Sequence, residues 1–184
     1  VVSFNLHGYN QGKVAIDEII DKHHPDIFLI QEHWQTPANL YKLDVFDKYF
    51  PFCSSAMHQR VESGILRGRP FGGIAILINK ELRHLTQTIY CSERFALIKI
   101  ASLIVVCVYL PCAGTADRML ICEDLFSDLQ SWLEKFPECS YVVAGDFNVD
   151  LSVSCPVSNL INAFCGVHTL TRCDSWFNVL HPTY

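Results

Sequence analysis

The chain has 184 residues, half of them apolar, which suits one domain with a sizeable core and argues against disorder. Fourteen Lys and Arg against nineteen Asp and Glu give a formal charge of -5, so no overall basic field draws the chain to nucleic acid, and a phosphate ligand would need a local patch or a metal ion. Nine cysteines, an odd count with no CxxC pair and several inside apolar runs, fit reduced thiols in an intracellular protein better than a disulfide frame or a zinc site.

No apolar run reaches the length of a membrane span, and no signal peptide or lipidation motif is present. The first residue is not methionine and lies inside an apolar strand, so the chain is expected to be a fragment of something longer.

VVSFN (1–5) alternates as an opening strand and hands over to Leu6-His7-Gly8. Val14, Ile16, Ile19 and Ile20 predict a helix over 13–22, closed by His23-His24-Pro25. DIFLIQ (26–31) then reads as a buried strand, completing a β-α-β opening and delivering Glu32, followed by His33 and Trp34. Residues 35–52 read as loop with a short helix, and 53–70 carry Arg60, Arg67 and Arg69 among glycines and a proline. GGIAILIN (72–79) is a clear strand. Further strands are predicted at 85–90, 94–100 and 102–110, and together they read as an antiparallel meander within a larger sheet.

Leu120, Ile121, Leu125, Leu129, Trp132 and Leu133 mark a helix over 116–136. It leads to YVVAGDFNVD (141–150), a short buried strand closed by Gly145 that places Asp146 and Asn148 at its carboxyl end. If the extended geometry persists, that pair points to one side. A short helix is expected at about 157–165. Repeats and linkers are absent from the sequence, so one domain is the economical reading.

Asn5, Glu32, Tyr109 and the Asp146/Asn148 pair therefore share one position, the carboxyl end of an apolar strand, where α/β proteins gather ligands and catalytic groups. A hard cation takes oxygen ligands such as Glu32 and Asn5 offer, Asp146 with Asn148 can direct a water, and the Tyr109 phenol can donate to a phosphate oxygen. Each residue also has a purely structural reading: Asx turns for Asp146 and Asn148, a strand-end turn for Asn5, a solvated acid for Glu32, a core aromatic for Tyr109. Arg60, Arg67 and Arg69 read either as a strip meeting DNA phosphates or as a solvated loop. His7, His23, His24 and His33 show no zinc-like spacing with cysteine and read as turn and edge residues.

The motifs SFNLHG (3–8), LIQEHW (29–34), GGIAILIN (72–79), VYLP (108–111) and GDFN (145–148), in order over nearly the whole chain, resemble the endonuclease/exonuclease/phosphatase superfamily. With PTY (182–184) added, the pattern is most similar to the apurinic-type endonucleases of non-LTR (LINE-type) retrotransposons. The resemblance implies an α/β fold, a four-layer α/β/β/α sandwich of two mixed sheets. It implies Mg²⁺, with Mn²⁺ as a substitute, DNA as partner, a downstream reverse transcriptase, no membrane, and a nuclear setting within the full element. The activity it implies is the nicking of one DNA strand.

Residue by residue, the resemblance makes Glu32 the metal-binding glutamate and Asn5 its companion. Tyr109 becomes the phosphate-contacting tyrosine, Asp146 the nucleophile-activating aspartate, Asn148 the asparagine that positions water or phosphate, and Thr183 a contact to the substrate backbone. A further aspartate and a closing Ser-Asp-His-like segment of that family have no counterpart before Tyr184, and Asp174 stands too early to replace the aspartate. The expectation is thus a single domain short of its last strands, weak or inactive as a nuclease. Within the superfamily a phosphatase or lipid phosphodiesterase is the alternative; outside it, a non-catalytic relic that at most binds DNA or protein.

Overall fold

The computed structural model describes residues 1–45, 47–64 and 68–173. It comprises two compact units, Val1–Leu110 with Glu138–Phe147, and Pro111–Pro137 with the described residues from 148 to 173. The first holds two four-stranded mixed sheets and one long helix. Its elements are β1 (Val2–Asn5), α1 (Tyr9–His23), β2 (Ile27–Gln31), β3 (Tyr49–Ser54), α2 (His58–Glu62), β4 (Ile74–Asn79), β5 (Thr86–Cys91), β6 (Phe95–Ile100), β7 (Leu103–Tyr109) and β8 (Ser140–Asp146), with 3₁₀ stretches at Pro37–Val45 and Lys80–Leu85.

One sheet has the order β1-β2-β4-β3 and the other β5-β6-β7-β8. β1 and β2 are parallel, as are β7 and β8, and the remaining neighbours are antiparallel. β2 and β4 take the centre of their sheet because IFLIQ and IAILI are apolar or buried at every position, a pattern suited to strands covered on both faces. Phe28, Ile30, Ala75 and Leu77 pack with Ile16 and Ile20 of α1. On the opposite face, Ile27, Leu29, Ile74, Ile76 and Ile78 meet Ala96, Ile98, Val105 and Cys107 of the second sheet. Each Ile, Leu, Val or Phe among them, fully removed from water, contributes about 1.5–3 kcal/mol.

The expected α/β class with two mixed sheets is what the chain adopts, and three details differ. The predicted meander is divided: β4 pairs with β2 and β3, while only β5, β6 and β7 form the meander, in the other sheet. β3 falls in a region read as loop because Pro51 interrupts it, and an edge strand bonded only to β4 tolerates that missing donor. α1 begins at Tyr9, well before its apolar stripe. Gly8 (φ 97) precedes it, and Gly12 packs where a Cβ would lie 2.2 Å from Leu6 Cδ1.

The second unit contains α3 (Arg118–Leu133) and α4 (Pro156–Val167). The buried stripe of α3 is Cys122, Leu125, Phe126, Leu129 and Leu133, so Leu120 falls on the exposed side. Pro156 opens α4 after a reciprocal cap, Ser158 N–H on Cys155 Sγ and Cys155 N–H on Ser158 Oγ. The Phe126 and Phe164 rings join the two helices at 4.9 Å. All nine cysteines are free thiols.

Candidate active site

The two-residue period of a strand decides which side chains reach the site. Asn5 is in register with Gln31, and Gln31 lies on the face of β2 that carries Ile27 and Leu29 toward the second sheet. Tyr109 shares its face of β7 with Val105 and Cys107, and in the parallel β7–β8 ladder it is opposite Asp146. Asn5, Tyr109 and Asp146 are the last residues of β1, β7 and β8, and Glu32 immediately follows β2. The carboxyl ends of both parallel pairs thus open on the same cleft between the sheets.

Asn5 ties the cleft together. Its Nδ2 donates to Glu32 Oε1 at 2.9 Å and to Asp146 Oδ2 at 2.7 Å, crossing from one sheet to the other. Its Oδ1 accepts the backbone N–H of His7 at 3.0 Å, which fixes the amide with the NH₂ toward the carboxylates. Glu32 is held by two further donors, the Tyr109 hydroxyl on Oε1 at 3.1 Å and Trp34 Nε1 on Oε2 at 3.2 Å. Burial, and then the neighbouring Glu32 carboxylate, push the Tyr109 phenol well above its ordinary value. Tyr109 is therefore a hydrogen-bond donor at any physiological pH and not a base.

The turn carrying Glu32 is sharply bent, with Glu32 at φ 56 and Trp34 at φ 52. Their N–H groups bond to Gly73 and Gly72 carbonyls at 2.9 and 3.0 Å. Those glycines are needed for space as well as for their positive φ: a Cβ on Gly73 would lie 2.4 Å from the His33 ring. His33 is 0% exposed, its Nδ1 accepting the Gln35 N–H at 3.0 Å and its Nε2–H donating to Ser54 O at 3.0 Å. Burial lowers its pKa to about 4, so it is a neutral strut.

Of the residues singled out in the sequence, Asn5, Glu32, Tyr109 and Asp146 are brought together. For Asn148 the expected extended alternation fails, since β8 stops at Asp146 and Asn148 adopts φ 49. Asn148 belongs to the second unit, where its carbonyl accepts from Arg118 Nη2 at 2.7 Å. Arg69 stacks on Trp34 at 4.3 Å from the ring centroid. Arg60 stacks on Phe71 at 4.7 Å, and no hydrogen bond or ring stack links it to the four clustered residues among the described residues. Arg67, Asp174 and Thr183 lie outside the described residues.

Sequence reasoning left three contributors without a role. Trp34 follows Glu32 by two positions, and the QEHW motif carries the only cue to its hydrogen bond. His7 supplies the N–H that orients Asn5. Arg94, from the turn between β5 and β6, lies 5.3 Å from the Tyr109 ring centroid; only the folded topology brings that turn to the cleft.

The oxygen donors gathered here are the Glu32 and Asp146 carboxylates; Asn5, expected as a companion metal ligand, instead turns its NH₂ to them and its Oδ1 to the His7 N–H. Glu32 Oε1 already accepts two hydrogen bonds, while Oε2 accepts one. Among the described residues no three His, Cys, Asp or Glu side chains form a metal cage. Carboxylate oxygens without a His or Cys partner suit a hard divalent cation that keeps much of its water, and do not suit zinc.

Oxygen donors gathered at the strand ends between two mixed sheets are the equipment of metal-assisted phosphoester hydrolases. The sequence narrows that class: the chain belongs to the Endonuclease/Exonuclease/phosphatase family, whose model matches residues 2–154. Family membership supports phosphodiester hydrolysis in general terms. No curated protein matches the sequence.

Three solved structures share the fold. A 3′ phosphatase from Neisseria bound to product DNA hairpin has a TM-score of 0.55 at 15% identity over 80% of this chain; this chain spans 57% of that protein. An AP endonuclease from Archaeoglobus fulgidus has a TM-score of 0.62 at 14% identity, covering 90% of this chain and 70% of its own. A 3′-5′ exonuclease from Neisseria meningitidis has a TM-score of 0.54 at 16% identity, covering 84% of this chain and 61% of its own.

Proposed function

We propose that this chain is an endonuclease domain that hydrolyses DNA phosphodiester bonds with Mg²⁺ or Mn²⁺, of the apurinic type found in non-LTR retrotransposons. In that setting a reverse transcriptase follows it in the full protein. The observation that carries the proposal is the Asn5 amide donating at once to Glu32 and Asp146 at the mouth of the intersheet cleft. The DNA hairpin bound by the Neisseria phosphatase supports DNA as the substrate class.

Glu32 would hold the cation, with Asn5 orienting its carboxylate, and the cation when bound would neutralise charge on the phosphoryl oxygens. Asp146 takes a proton from the attacking water as the new P–O bond forms and the bond to the 3′ oxygen breaks, and that oxygen leaves with a proton. Tyr109, kept protonated by its surroundings, donates to a phosphate oxygen. Arg69, stacked on Trp34 beside the cluster, is the arginine placed to meet the substrate backbone.

The test is nicking of supercoiled plasmid by the wild-type chain and by Asp146→Ala, with Mg²⁺ and with chelator. Loss of general-base catalysis costs roughly 10²–10⁴-fold, so nicking should fall at least 10²-fold in the variant and vanish with chelator. Equal nicking by both proteins would remove Asp146 from the chemistry. Turnover of soluble inositol phosphates in place of DNA would move the assignment to the lipid and inositol branch of the family.

A further inference from the structure

One layer below the carboxylates a second polar link joins the two sheets. Gln31, the last residue of β2, is 1% exposed and shares its face with Ile27 and Leu29, which pack in one core with Ala96, Ile98 and Val105 of the other sheet. Its Nε2 donates to Ser3 Oγ and to Cys107 Sγ, each at 3.2 Å, and its Oε1 accepts the Ser3 hydroxyl at 3.4 Å. Burial pushes the Cys107 thiol up to about 12, so it stays neutral, and it donates in turn to the Ile30 carbonyl oxygen at 3.8 Å. The network carries no charge, and the amide has a partner at both its oxygen and its nitrogen.

Its placement repeats that of the site above it. Ser3 lies two residues before Asn5 on β1, Cys107 two before Tyr109 on β7, and Gln31 one before Glu32, in register with Asn5. Two residues of strand rise about 6.6 Å, so Ser3 and Cys107 sit one pleat beneath Asn5 and Tyr109 on the same faces. Apolar burial is non-directional and does not itself fix how far one sheet slides past the other. The Asn5 bridge depends on that offset, because one Nδ2 reaches Glu32 and Asp146 from opposite sheets at 2.9 and 2.7 Å. Stability does not account for the carboxamide. With an apolar chain of the same length at position 31, Ser3 keeps its access to water and Cys107 its bond to Ile30, so no strong polar group is stranded.

We propose that Gln31 is a positioning residue: by tying β1 and β2 to β7 through Ser3 and Cys107, it sets the offset of the two sheets at which the Asn5 amide meets both carboxylates and the Tyr109 hydroxyl meets Glu32. The inference rests on the phosphodiesterase reading of those carboxylates and adds to it a residue that touches neither cation nor substrate.

The experiment compares wild type with Gln31→Met, which keeps the length and removes the hydrogen bonds, with Cys107→Val, which removes the link between sheets, and with Cys107→Ser, which keeps a donor and acceptor there. Four quantities are read: the urea midpoint, the ¹⁵N–¹H signal of the Asn5 side-chain amide in metal-free protein, Mn²⁺ affinity by electron paramagnetic resonance, and Mg²⁺-dependent plasmid nicking. Groups that orient a metal ligand typically contribute about 10–100-fold to affinity or activity. Gln31→Met and Cys107→Val should keep the wild-type urea midpoint, move the Asn5 signal toward that of a solvated asparagine, weaken Mn²⁺ binding by roughly 10-fold or more, and lower kcat with KM for DNA unchanged. Cys107→Ser should stay near wild type in all four. An unmoved Asn5 signal in either of the first two variants, or losses matched by a fall in the urea midpoint, overturns the positioning role. The Asn5 signal needs neither metal nor DNA, which separates the two readings. A wild type that binds no Mn²⁺ and nicks nothing removes the hydrolase, while a moved signal in both variants keeps the role of Gln31 in the sheet offset; normal nicking with an unmoved signal does the reverse.

Discussion

His33 makes the stability of this fold depend on pH in a way that can be computed from its surroundings. The ring is wholly buried behind Glu32, and its Nδ1 faces the Gln35 N–H, so a proton there would meet a donor and leave an unpaired charge out of water. The folded pKa is lowered to about 4 against about 6.5 in an unfolded chain. Between those values the unfolded state binds one more proton than the native state, so stability rises with pH. It is complete above about pH 6.5, and lost progressively as pH falls toward 4. The slope is about 1.4 kcal/mol per pH unit and the total about 3 kcal/mol. Urea unfolding of the wild type and of His33→Gln at intervals from pH 7.5 to 4 measures it, and the wild type should lose about 3 kcal/mol more than the variant over that interval. Parallel curves for the two proteins would refute the burial of a neutral His33.

Two substitutions probe the cleft itself. Asn5→Asp replaces the shared donor by a third carboxylate beside Glu32 and Asp146. With charged hydrogen bonds worth about 1.5–3 kcal/mol, discounted for water access, it should cost about 1–2 kcal/mol of stability in urea and abolish nicking, while an unchanged midpoint would contradict the bridging geometry. Gly145→Ala places a Cβ 1.9 Å from the Val108 carbonyl oxygen in the β7–β8 ladder, at φ 147. Backbone cannot step aside as a side chain would, so a loss of about 3 kcal/mol or more is expected, and a loss under about 1 kcal/mol would show that the ladder relaxes freely.

The strand ends were legible because apolar runs such as IFLI, IAILI and LIVVCV leave little choice of structure, and the first polar residue after such a run marks the edge of a sheet. Asn5, Tyr109 and Asp146 stand at such ends and Glu32 one residue past Gln31, and the family resemblance added their roles. What the sequence could not show is geometry set across long separations. The Asn5–Asp146 bond joins residues 141 apart in sequence, and Arg94 meets Tyr109 only once two sheets are stacked. Asn148 failed a local rule, because alternation holds only while the strand lasts, and β8 ends two residues earlier. β3 was hidden by Pro51, an edge-strand residue whose tolerance depends on having one neighbour, which is a property of the sheet order.

The choice of asparagine between the two carboxylates bears on why the cleft would attract a cation. A lysine at position 5 could reach the same oxygens, but it would neutralise one of the charges and compete with any metal for the other. The amide supplies two hydrogen bonds with no charge, so the carboxylates are oriented without being neutralised. The remaining donors to Glu32, the Tyr109 phenol and the Trp34 indole, are neutral as well, and the nearby guanidinium groups of Arg69 and Arg94 lie over the faces of those two rings. Negative charge is thus kept inside the cleft and positive charge at its margin. Under the proposed function a hard divalent ion would meet the carboxylates and substrate phosphates the arginines.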